Sequence, residues 1–354
     1  MSWGRRAALF AVGILISAGV AVASIALSDG GSGSRPVHVE PEVNFALPPA
    51  SDGCEAVTTV DGGAQQVPLT VSAVAGQVAE AVNICIDGQG PYPFVLDTGA
   101  GQSTIDAGLA RRLHLAAAGP SSVFAGVGCT GKARPVSVGS WSLEGIGLAP
   151  QQLTAASLPQ IGGTGEPVGL LGSDVLGRFG AVRVDFAAGA LVVAGAEGPP
   201  LTDGQPYTGP VGQLGPPVSL THGEGRTVPL TVTPSTGAVS LGVAVRFRGG
   251  AERNFVVDTG SSQSVAATSV SEEENLQGTN LAQRQATVCS VITVPLVHSG
   301  PWSVPRVVLH PQLIGETNFG VISAGGVEGL LGSDQLRRFG WVVFDYPSGV
   351  MVLG

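Results

Sequence analysis

The chain has 354 residues, room for two or three domains and a large core, with a net charge of −9 and only 12% charged residues. Seventeen Lys and Arg, with no basic cluster in the body of the chain, speak against nucleic acid as a partner. Abundant Gly (54) and Pro (25), with Val, Ile and Thr dominating the periodic segments, point to an all-β chain of short strands and tight turns. Four cysteines (Cys54, Cys85, Cys129, Cys289) show no C-x-x-C spacing, and with five His a zinc site is not expected; no metal or other cofactor is called for.

In chain order, Arg5 and Arg6 come first, followed by an uncharged apolar run over residues 7–27, about the length that crosses a bilayer as a helix. Ala21-Val22-Ala23 offers a signal-peptidase site, but the run continues through Ile25 and Leu27, which suits an uncleaved anchor with its arginines in the cytoplasm. A twin-arginine signal fits the flanking residues poorly. Each version exports the body, either tethered to the cell membrane by a single pass or secreted after cleavage. Residues 28–66, rich in Gly, Pro and Ser, read as a tether.

Two similar units follow, residues 67–196 and 228–354, with a Gly/Pro-rich linker at 197–227. VPLTVSAVAG at 67 matches VPLTVTPSTG at 228, and FVLDTGAGQST at 94 matches FVVDTGSSQSV at 255. GLLGSDVLGRFG at 169 matches GLLGSDQLRRFG at 329, and Cys129 matches Cys289. This pattern is that of an internal duplication. VPLTV and VNICI alternate as half-buried strands do, and FVLD and FVVD read as strands buried on both faces. IDAGLARRLHL has helical spacing with Asp106 as N-cap, whereas its counterpart ATSVSEEENLQGTNLAQ reads as polar and irregular. Each unit ends in a short helical turn capped by Ser173-Asp174 or Ser333-Asp334, then a hairpin turning at AAG or PSG.

Asp-Thr-Gly after an apolar strand, with a later Leu-Leu-Gly before a short helix, resembles the lobe of an aspartic peptidase. Both lobes lie in one chain, as in pepsin-like enzymes, but their content is closer to retropepsins and to the retropepsin-like domains of bacteria. The resemblance implies a bilobal aspartic-peptidase-like fold with pseudo-two-fold symmetry, complete without a dimer, hydrolysing protein or peptide substrates as an endopeptidase. Asp97 and Asp258 would form the catalytic dyad. Two carboxylates about 3 Å apart cannot both ionise cheaply, so they share a proton and act as base and acid. The family's Thr hydroxyls lock the two loops, and Thr98 and Thr259 match them. Gly99 and Gly260 would allow the tight turn that aims amide donors at the carboxylates. Leu170-Leu171-Gly172 and Leu330-Leu331-Gly332 match the strand beneath each Asp loop. The alternative is a non-catalytic peptide-binding or envelope structural protein that retains the fold.

In retropepsins a flap covers the substrate, and here it falls on residues 124–133. Its counterpart near AQRQATVCSV lies in a stretch without glycine from 279 to 299, so a mobile flap is expected of the first unit more than the second. Two cysteine pairings stay open: Cys129 with Cys289, joining the flaps, or Cys54 with Cys85, which strand alternation favours, leaving flap cysteines free. Finally, Ser261 stands where the first unit has Ala100. In pepsin-like lobes that hydroxyl bonds its own Asp, so Asp258 would be the charged base and Asp97 would hold the proton.

Overall fold

The computed structural model describes residues 64–74, 77–126, 128–158, 168–194, 197–201, 226–287, 291–304, 317–323 and 326–354, together with 21–22, 54, 58–59, 289 and 307–308. The apolar run 7–27 lies outside the described residues, apart from Ala21–Val22, which pair with Ala125 and Phe124. Most of the tether and linker lie outside them too. Among the described residues no helix is long and apolar enough to cross a membrane.

The chain is mostly β. In the first half the strands are β1 (Ala64–Pro68), β2 (Gln77–Ile86), β3 (Gln89–Leu96) and β4 (Thr104–Asp106). Helix α1 (Ala107–Arg112) follows, then the hairpin β5 (Ser122–Gly126) and β6 (Cys129–Val138), β7 (Gln151–Ala156), and β8 (Gly169–Leu171). The short helix α2 (Ser173–Leu176) leads into the hairpin β9 (Ala181–Asp185) and β10 (Ala190–Ala194). The second half repeats this order. It runs β11 (Arg226–Pro229), β12 (Thr231–Ser235), β13 (Ala238–Phe247), β14 (Glu252–Asp258), β15 (Val265–Ala267) and α3 (Thr268–Glu273). The hairpin β16 (Gln277–Ala286) and β17 (Val291–His298) comes next, then β18 (Asn318–Ile322), β19 (Gly329–Gly332), α4 (Ser333–Leu336), β20 (Trp341–Asp345) and β21 (Val350–Leu353).

Each half builds one sheet, in the order β5-β6-β7-β4-β8-β3-β2 and β16-β17-β18-β15-β19-β14-β13. The strand that ends in Asp97 lies parallel to β8, with Leu96 beside Leu171, and the strand that ends in Asp258 lies parallel to β19, with Val257 beside Leu331. Phe94, Val95, Leu96, Phe255, Val256 and Val257 are all buried, so these strands run continuously apolar. A Cβ on Gly169 would stand 2.2 Å from the Phe94 ring, and one on Gly329 2.4 Å from that of Phe255. The Gly of each GLLG is therefore required by the Phe of the neighbouring Asp strand. A third sheet, β11-β21-β20-β9-β10-β1, takes strands from both halves and joins them through the antiparallel pair β9–β20, centred on Arg183 and Val343.

Two local expectations need correction. The second half does form the helix α3: Val270 is buried, and Arg253 pairs with Glu273 at 2.8 Å and Glu274 at 2.6 Å. Burial of one apolar residue and ion pairing hold a turn whose sequence looks irregular. The short helices α2 and α4 are not capped by their Ser-Asp pairs. Gly172 and Gly332 are the N-cap residues without a side-chain bond, and the Ser and Asp are used elsewhere. By contrast Asp106 does cap α1, accepting from the Leu109 amide at 3.0 Å.

Glu80 of β2 pairs with Arg337 of the second half. Burial pushes its carboxyl from the usual 4.5 up to about 7, against the pull of the Arg337 guanidinium. A raised carboxyl pKa means that the folded state binds more protons than the unfolded one, so its contribution to stability falls as pH rises from about 4.5 to about 7. Melting temperature should accordingly decline across that window by differential scanning calorimetry, and Glu80→Gln should flatten the decline. An unchanged slope in the variant would remove Glu80 as its source.

Candidate active site

β3 and β14 deliver Asp97 and Asp258 into two loops that face each other, each carboxyl lying against the glycine of the opposite loop. The loops are tied by a reciprocal set of buried bonds. Thr98 donates its hydroxyl to the Val257 carbonyl at 2.8 Å and receives the Thr259 amide at 3.1 Å. Thr259 donates its hydroxyl to the Leu96 carbonyl at 2.6 Å and receives the Thr98 amide at 3.0 Å. Both threonines are completely buried, while both aspartates keep part of their surface open.

The glycines serve for a reason different from the one expected. Neither has a positive φ, so the turn itself does not demand glycine. Instead a Cβ on Gly99 would lie 2.4 Å from the Asp258 Cγ, and one on Gly260 would lie 2.5 Å from the Asp97 Cγ. Each glycine is the space into which the opposite carboxyl fits.

Beneath the loops a second repeated network holds them. Ser173 donates to the Thr98 carbonyl at 2.9 Å and Ser333 to the Thr259 carbonyl at 2.6 Å. Asp174 receives the Ser103 amide at 2.8 Å and hydroxyl at 2.7 Å, and Asp334 receives the same two groups of Ser264 at the same distances. Ser103 and Ser264 in turn accept the Gly172 and Gly332 amides, each at 2.9 Å. The sequence reading gave Ser173, Asp174, Ser333 and Asp334 to helix capping and did not single out Ser103 or Ser264, although GSD recurring 160 residues apart carried the signal. Gln285 of the second hairpin was also missed. Its amide donates to the Ser261 hydroxyl at 2.7 Å, a contact no motif announces.

The expected bond from the Ser261 hydroxyl to Asp258 is not made. The Ser261 hydroxyl donates to the Gln263 carbonyl at 2.8 Å and does not bond Asp258; the Ser261 amide does, at 2.8 Å. Asp97 Oδ1 receives two close amides, Gly99 at 3.0 Å and Ala100 at 2.9 Å. Burial raises both carboxyls, and the amides of the loop residues that follow pull each back toward the charged form, Gly99 and Ala100 for Asp97 and Gly260 and Ser261 for Asp258. Asp258 is raised well above the usual carboxylate range, by burial first and then by the negative charge of Asp97. Both carboxyls are thus raised by burial, and the Ser261 hydroxyl on which the sequence reading placed its asymmetry is engaged elsewhere. Ser261→Ala should leave the acidic limb of a pH–rate profile where it is; a shift of one unit or so would restore the hydroxyl to the dyad.

All four cysteines are bonded: Cys54 to Cys85 with 5.9 Å between Cα atoms, and Cys129 to Cys289 with 6.0 Å. The two pairings that stood as alternatives coexist. Both halves carry a hairpin at the flap position, and β16–β17 supply seven paired positions although the stretch from 279 to 299 holds no glycine.

No curated protein sequence matches the chain. Among solved structures, the crystal structure of basic 7S globulin from soybean is similar over 82% of this chain and 96% of that chain, at 12% identity and a TM-score of 0.42. An aspartyl protease family model matches residues 82–175, the stretch that holds Asp97 and reaches the Gly172-Ser173-Asp174 network, and this match supports a protease-type function.

Proposed function

We propose that the protein is an aspartic endopeptidase whose dyad is Asp97 and Asp258. It is bilobal with pseudo-two-fold symmetry from a duplicated unit, exported, and tethered to the cell membrane by residues 7–27 or secreted after their cleavage. The observation that carries the reading is the pair of facing carboxyls, each packed on the glycine of the opposite loop. The family match reaches only the first of the two; the second carboxyl comes from a half that the match does not cover. Two disulfides suit an oxidising compartment.

In this reading charged Asp97 takes a proton from a water molecule as its oxygen attacks the peptide carbonyl carbon, and Asp258 gives its proton to the carbonyl oxygen. The resulting diol collapses when Asp97 passes its proton to the amide nitrogen, the C–N bond breaks, and a diol hydroxyl returns a proton to Asp258. Thr98, Thr259, Gly99 and Gly260 hold the pair in contact, and the Ser261 amide supports Asp258. Incubation with a mixed peptide library, with and without a pepstatin-type inhibitor, tests the reading. Inhibitor-sensitive cleavage supports it, and peptides retained uncut point to the binding-protein alternative.

A further inference from the structure

Resting on the peptidase reading, we propose that the Cys129–Cys289 bridge closes the cleft into a covalent ring, so that the protein accepts only polypeptides threaded through by a free end. The two halves meet on three levels. Below the Asp loops, β9 pairs with β20, and Tyr346 just after β20 reaches Ser173, the residue that holds the Thr98 carbonyl. At the loops, the two threonines grip one another. On the remaining side the hairpins β5–β6 and β16–β17 come together at their tips.

That tip contact is a built junction as well as a disulfide. The Thr287 hydroxyl lies 3.2 Å from the Cys129 sulfur. A Cβ on Gly128 would stand 3.3 Å from the Ile292 Cδ1, and Cys289 packs against the buried cluster of Phe124, Ala133 and Ala156. On the same hairpin, Gln285 is bonded to Ser261, three residues after Asp258, so the second hairpin is tied to the second Asp loop. A continuous circuit results. It runs from Asp97 along the chain to Cys129, across the bridge to Cys289, and back along the chain to Asp258, and the threonine grip closes it.

An open cleft loads an internal segment of a long chain by lifting its flaps. Here lifting them apart requires breaking a covalent bond. An extended chain end can pass through the window, whereas a cyclic peptide or an internal loop of a folded domain cannot. The substrate class that follows is unfolded or terminally frayed polypeptide with at least one free, unstructured end.

The test compares the oxidised wild-type protein with the double variant Cys129→Ser/Cys289→Ser, which leaves Cys54–Cys85 in place. The substrates are a linear peptide of about thirty residues and the same sequence cyclised head to tail. The expected result is that both proteins cut the linear peptide at similar kcat/KM, while the wild type discriminates against the ring by at least about 30-fold and the variant by less than about threefold. Equal cutting of ring and linear peptide by the wild type overturns the proposal, and so does equal discrimination by both proteins. If neither protein cuts the linear peptide, the peptidase reading fails by itself, and binding tests the ring. A peptide carrying a folded domain at one end should then bind both proteins, and one stoppered at both ends should bind only the variant. Wild-type binding of the doubly stoppered peptide, or no binding of either, overturns the ring.

Discussion

Asp97→Asn and Asp258→Asn are each expected to lower kcat for peptide hydrolysis by at least about 10³-fold, within the range that a positioned acid or base supplies. Removal of either group leaves the other without the partner that sets its proton. The fold should survive, because Asn has the shape of Asp and can still accept the loop amides at Asp97 Oδ1 and Asp258 Oδ1. Circular dichroism and melting curves should therefore match the wild type or lie slightly above it, since a buried carboxyl pair has been relieved. In the wild type, burial raises both carboxyls and they titrate as a coupled pair, so the two limbs of the pH–rate profile belong to the pair. Activity should then fall off in acid as the pair gains a second proton and in alkali as it loses the shared one. Near-wild-type activity in either Asn variant would remove the dyad from the reaction.

Gly99→Ala and Gly260→Ala are expected to be almost as damaging, for a steric reason. The added methyl would stand 2.4 Å from the Asp258 Cγ or 2.5 Å from the Asp97 Cγ, closer than bonded neighbours excepted atoms ever approach. Each loop is clamped by the threonine bonds and by Ser173 or Ser333, so it cannot simply retreat. A cost of about 1–3 kcal/mol in stability follows from overpacking at such a site. Activity should drop by about 10² or more, because a misplacement near 1 Å separates the carboxyls. Urea unfolding of Gly99→Ala and of the double variant Gly99→Ala/Asp258→Gly checks the cause. Removal of the opposing side chain should restore stability but not activity. If the double variant is no more stable than Gly99→Ala, the glycine serves the turn and not the contact.

Much of the local structure was legible in order along the chain. Period-two alternation and continuous apolar runs marked the strands that end at Asp97 and Asp258, and Asp106 marked the start of α1. The recurrence of DTG and GLLG at nearly constant offset announced two equivalent halves and their two aspartates. Such features are local, since strand periodicity and helix capping depend on residues within a few positions of one another, and a repeat needs no folding to be seen.

What only the tertiary structure decided lies between residues about 160 apart in sequence. Ser261 could be matched to a pepsin-like serine by position, but its hydroxyl is held by Gln285 and donates to the Gln263 carbonyl, not to Asp258. Gly99 looked like a turn residue until the opposite aspartate was seen to occupy the space of its missing side chain. The cysteines allowed alternatives until two hairpins from different halves placed Cys129 and Cys289 within bonding reach. In each case the deciding quantity is a distance or a donor supplied by another part of the chain. Sequence by itself determined which groups each half carries, and packing of the halves determined what those groups do to one another, because burial and contact act through space and not along the backbone.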